Sequence, residues 1–174
     1  MTILKNRTIS ILAKNIHLFK GWSVLLGFAL VATTAGVALA PQGHTFDSTF
    51  TKWVTTSPPA PGVVANMVGV VDGDVGPGTY AGEILSMNTV GNITSIEALY
   101  HFNGWKHSFT AAVNVTQDET AGTATITGNV TEGWLRGASV TGEYNVLATC
   151  PIGTPDNAFG TVCFQGALHV HVPK

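Results

Sequence analysis

The chain has 174 residues and a formal charge of −2 at pH 7, and only 10% of its residues are charged. An ordinary soluble domain carries about a quarter, and a nucleic-acid binder needs clustered basic residues, so that class is excluded first. Twenty glycines and abundant threonine argue against a helical bundle, because both form helices poorly while threonine suits pleated strands.

The first segment has its own signature. Lys5, Arg7, Lys14 and Lys20 are the only charges in the first 21 residues, and Trp22 to Ala40 follow with none. A basic start, an apolar stretch and the small-x-small ending Ala38-Leu39-Ala40 describe a secretory signal. Nineteen uncharged residues also approach the length of a membrane span, which takes about 20 helical residues. An uncleaved anchor is therefore the competing expectation, and Pro41 disfavours a cut after Ala40. Under either, residues 1–40 form an apolar export helix and residues 41–174 stand outside the cytoplasm. The exported part keeps four basic and all ten acidic residues, a net charge of −6. Nucleic acid and anionic membrane are poor partners for it, and any membrane contact runs through an uncleaved leader.

Beyond residue 44, apolar and polar residues alternate with period two in segments broken by turn residues. The expected strands are about 45–55, 62–72, 79–89, 93–102, 105–116, 122–130, 137–149 and 161–172. Their connections are too short for a crossover helix, so neighbours pair antiparallel. Asp72-Gly-Asp74, between the second and third, lacks the further oxygen ligands of a calcium loop and reads as a turn. In the third strand, Tyr80, Gly82 and Ile84 face one way and Ala81, Glu83, Leu85 and Met87 the other, with the inward set left open. If the second set is inward, Glu83 is a buried carboxylate with a raised pKa and the first candidate for general acid/base work. If not, it is a solvated strand charge.

Asn103-Gly104 is the strongest short-range hairpin signal. A two-residue turn there pairs Phe102 with Trp105, Tyr100 with His107 and Ala98 with Phe109, all on one face. Tyr100 and His107 then sit side by side in the interior, where a phenol and an imidazole can move protons or orient a ligand carbonyl. The plain alternative is a pair satisfied within a filled core. Trp105, Phe109 and, on the seventh strand, Tyr144 are expected to line the same space.

The last three strands put Ile126, Val140 and Leu168 inside and Thr125, Glu143, His169 and His171 outside. Gly128, Gly142 and Gly166 fall in the inward phase, where coiled barrel strands use glycine to bend. Cys150 and Cys163 flank a Pro/Gly/Asn loop and are expected to form a disulfide in an oxidising compartment. His169 and His171 share a face, but with no third ligand nearby no metal site is assigned, and no cofactor motif occurs. Asn92, Asn114 and Asn129 begin N-x-T sequons, acceptors only in a eukaryotic secretory route.

Eight strands with short turns bury a common apolar face by closing into an up-and-down barrel or by folding as a sandwich. The inward glycines favour the barrel, so the expected fold is all-β: an eight-stranded antiparallel barrel behind an export helix. From about Gly82 to Val172, with ITGNVTEGWLRGASVTGEYNV at residues 126–146 and CFQGALHV at 163–170, the chain resembles the allene oxide cyclase and dirigent group of calycin-like barrels. The resemblance implies a closed barrel, and a lumen that either binds a small apolar or aromatic molecule or acts as a cofactor-independent cyclase or isomerase. It also leaves open a filled barrel serving as an extracellular assembly module, and self-association, which some members show. The lumen decides: a cavity below ~300 Å³ removes both ligand readings, and a larger one containing Glu83 or His107 favours the enzyme.

Overall fold

The computed structural model describes residues 43–151 and 162–173. The expected leader and the tip of the cysteine loop lie outside these residues. Alternation produces eight strands: β1 (His44–Val54), β2 (Ala65–Gly73), β3 (Gly78–Val90), β4 (Ile93–Gly104), β5 (Ser108–Asp118), β6 (Thr123–Gly133), β7 (Ser139–Leu147) and β8 (Cys163–Val172). Each pairs antiparallel with the next and β8 pairs with β1, so the sheet closes into a barrel. The choice between barrel and sandwich is settled for the barrel. Closure leaves no unpaired edge, and one face of every strand turns to a common interior.

Glycine makes the closure possible. A Cβ on Gly128 would lie 2.1 Å from the Ala112 carbonyl oxygen, and one on Gly166 would lie 1.9 Å from that of Glu143. The neighbouring backbone occupies the space of the missing side chain, so these strands coil more tightly than any larger residue permits.

Two expectations of register are corrected. The β4–β5 connection is a longer loop: Phe102 pairs with Phe109, Tyr100 with Ala111 and Ala98 with Val113. The cause is the β2–β3 turn, whose Val75 carbonyl accepts the N–H groups of Lys106 and His107 while Trp105 N–H donates to Pro77. These bonds hold residues 105–107 out of the ladder. The slip of four residues is even, so the inward residues that remain in the ladder stay inward. In β3 the register shifts between Ile84 and Ser86. This bulge lets Ile84 and Met87, three apart, both face inward, where Met87 meets Ile96.

Cys150 and Cys163 form the expected disulfide, with Cα atoms 5.1 Å apart. Among the described residues no helix is long and apolar enough to cross a membrane.

Candidate functional site

The lumen has two unlike ends. Near the β2–β3 and β4–β5 turns it is solid: Phe102 stacks on Phe109 with centroids 4.9 Å apart, and Phe50 and Tyr80 pack edge-on against Phe102 at 6.1 and 5.6 Å. His107 caps this end, stacked on Trp134 at 3.8 Å, and Trp134 in turn meets Phe46. Toward the end that carries the disulfide, the packing opens into a cavity of about 110 Å³. Met67, Ile84, Ile96 and Ala98 give it apolar walls, and Met87 and Glu119, both exposed, stand at its rim.

Between the two regions lies a lysine. β1 alternates with Ser48, Phe50 and Lys52 inward, and Lys52 is only 1% exposed. Its Nζ donates to the Tyr100 hydroxyl and lies 4.0 Å from the Tyr100 ring centroid, 4.6 Å from Tyr144, 5.1 Å from Phe50 and 5.6 Å from Tyr80. Ring faces are partial substitutes for water around an ammonium. No carboxylate lies within 4 Å of it among the described residues, where the ion pairs belong to His169. Burial therefore holds the Lys52 pKa well below the usual lysine value, since little offsets the lost hydration of the charged form. The phenols shift the other way: burial raises Tyr80, Tyr100 and Tyr144, with the charges of neighbouring phenols, and of Glu119 in the case of Tyr144, adding to it.

Polar order continues along the wall. The Tyr144 hydroxyl donates to Gln117 Oε1 at 2.6 Å, and Thr94 donates to Glu119 Oε1 at 2.7 Å. Tyr80 Oη is buried without a hydrogen-bond partner among the described residues. Tyr100 accepts from Lys52 and keeps its own O–H to donate. The cavity thus offers an apolar surround with an amine and phenol at its inner wall.

The expected site residues divide accordingly. Tyr100 and Tyr144 are inside, fully buried, and border the cavity. Phe109 is inside but belongs to the solid end. Trp105 is 72% exposed and lies against Gly76, outside the lumen, because the loop replaces the expected tight turn. His107 is displaced by the same loop and does not pair with Tyr100. Glu83 faces outward between Asn66 and Leu99, half-buried on the outer surface; the β3 bulge is why Met87, in phase with it in sequence, points the other way. On the outer face His169 meets Asp47 at 2.7 Å and Glu143 at 3.8 Å, while His171 lies between Thr45 and Thr141. Lys52 is the residue that sequence reasoning passed over; its phase with Phe50 and Val54 was the available signal.

The interior is smaller than the ~300 Å³ that both expected ligand readings require. Hollows of about 290 to 430 Å³ exist, but they are surface grooves beside outward residues such as Thr79, His101 and Thr125. The interior space of about 110 Å³ is below the ~300 Å³ of a drug-sized pocket and nearer the ~150 Å³ cavity known to take up benzene. A drug-sized substrate of the expected cyclase does not fit. Compared with family models, curated proteins and solved structures, the chain matches none.

Proposed function

We propose that residues 41–174 are an exported barrel that binds one small apolar or aromatic group carrying a hydrogen-bond acceptor, at the disulfide end of its lumen. The observation that carries this reading is Lys52, an amine without a carboxylate partner among the described residues, bordering a mostly apolar cavity. Keeping an ionisable amine in such a place costs stability, and a ligand carbonyl accepting from Lys52 or Tyr100 gives it a role. The ligand is a single small ring, a short chain, or the end of a longer molecule whose remainder passes Met87 and Glu119. Export is supported by the basic-apolar leader pattern and by the disulfide, which persists in oxidising compartments. Kinship with the allene oxide cyclase and dirigent barrels rests on the eight-stranded closed architecture and on the quoted stretches, and carries none of their site residues. Cyclase chemistry is not part of the reading, because the cavity does not enclose such a substrate.

Benzamide, an aromatic amide that forms no covalent adduct with amines, is the probe. In ¹H–¹⁵N spectra, millimolar benzamide should shift amides of β1, β4 and β7 around Lys52, Tyr100 and Tyr144, and Ala98→Leu, which fills the cavity, should abolish those shifts. No shift in the wild type, or shifts unchanged in Ala98→Leu, contradicts the reading and favours a filled assembly module.

A further inference from the structure

We propose that Lys52 captures aldehydes covalently: its Nζ condenses with a small aromatic or short-chain aldehyde in the cavity to give an imine. The inference rests on the binding site described above and names the ligand class of that site.

The chemistry follows from the groups present. Imine formation requires an amine lone pair, a carbonyl carbon within reach, and a proton donor for the carbonyl oxygen. Lys52 Nζ supplies the lone pair, because burial favours the uncharged amine. The walls of Ile84, Ile96 and Ala98 hold an apolar tail, and Tyr100, hydrogen-bonded to Nζ, is the adjacent hydroxyl donor. The N–C bond forms as the carbonyl π pair moves to oxygen, and a proton passes from nitrogen to that oxygen through Tyr100 to give a carbinolamine. The C–O bond then breaks, the nitrogen loses its second proton, and one water leaves past the rim. Nothing is oxidised or reduced. The charged and titratable groups around Nζ are Tyr80 on β3, Tyr100 on β4, Tyr144 on β7 and, at the rim, Glu119. None is an acid close enough to pair with an ammonium among the described residues. An exposed lysine such as Lys106 has no such cavity beside it.

The test is reductive trapping. The disulfide-intact protein is treated at pH 7 with limiting benzaldehyde and cyanoborohydride, which converts any imine to a stable benzylamine, and the modified residue is mapped by peptide mass spectrometry. The expected result is one benzyl group on Lys52 in preference to the exposed Lys106, because burial favours the free amine at Lys52 and the cavity holds the aldehyde beside it. Excess benzamide and Ala98→Leu should each suppress it, and Lys52→Met should remove it. Labelling confined to exposed amines while benzamide still binds overturns the capture and leaves the binding reading standing. Absence of both benzamide binding and Lys52 labelling overturns the two together. Lys52 labelling that Ala98→Leu and benzamide leave unchanged also overturns the inference, because the adduct would then not form in the cavity.

Discussion

The two ends of one lumen are built from the same alternating strands and do opposite things. At the turn-capped end, Phe50, Tyr80, Phe102 and Phe109 fill the space ring against ring. At the disulfide end the same inward phase delivers Lys52, Gln117, Thr94 and Tyr144 beside a void. The difference teaches that alternation alone specifies which way a residue points, whereas size and polarity at each level decide whether the interior is core or site. If the solid end carries stability and the open end carries function, substitutions at the two ends should diverge.

The largest effect is expected at the solid end. Phe102→Ala removes a ring that is 1% exposed and should destabilise by about 3–5 kcal/mol in urea unfolding, whereas Ala98→Leu, which fills the cavity at the open end, should change stability by no more than about 2 kcal/mol. Equal costs would erase the distinction between the ends.

Next comes the cross-link. Replacing Cys150 and Cys163 by Ser, with a sequence separation of 13, should cost about 3 kcal/mol by freeing the unfolded chain, read as a drop in thermal midpoint. Reductant should lower the wild-type midpoint alike and leave the variant unmoved.

Lys52→Met should do the reverse and stabilise the barrel near neutral pH, by on the order of 1–4 kcal/mol, because a poorly compensated buried amine is replaced by an apolar chain of similar shape. The pH dependence has a definite sign. The unfolded chain keeps the Lys52 proton up to about pH 10.4, and the folded chain releases it at lower pH. Across that window the unfolded state binds the extra proton, so stability rises with pH. The tyrosines act oppositely above about pH 10, where unfolded phenols ionise and the buried ones, raised by burial, do not. Thermal midpoints should climb toward pH 10 and then fall, and Lys52→Met should flatten the climb.

The smallest effect belongs to the outer face. The Asp47 hydrogen bond raises the His169 pKa, so its contribution is fully present below the unfolded value of about 6.5 and is lost as pH rises through the folded value. With His169 a third exposed and Asp47 two-thirds exposed, Asp47→Asn should remove less than about 1 kcal/mol at pH 5.5 and leave stability at pH 9 unchanged.

Much of the fold was legible because the barrel is made of local alternation and short turns, and all eight strands lie close to where the sequence puts them. What escaped was set by contacts distant in sequence. The Asn103-Gly104 signal promised a tight turn, but Val75, nearly thirty residues earlier, claims the N–H groups of Lys106 and His107. The inward assignments of Tyr100 and Phe109 survive that even slip, while Trp105 and His107 leave the interior. Glu83 was ambiguous because the β3 bulge resets the phase within the very stretch being read. Lys52 was overlooked because charge suggests solvent, although its strand position already placed it with Phe50.

The most direct test of the account is the titration of the Lys52 side chain itself, followed by ¹³Cε and ¹⁵Nζ shifts and assigned by their loss in Lys52→Met. A buried amine against the Tyr100 hydroxyl at the wall of an apolar cavity should titrate well below the ordinary lysine value of about 10.4 and should respond to benzamide. A Lys52 that titrates at that ordinary value and ignores benzamide would contradict it.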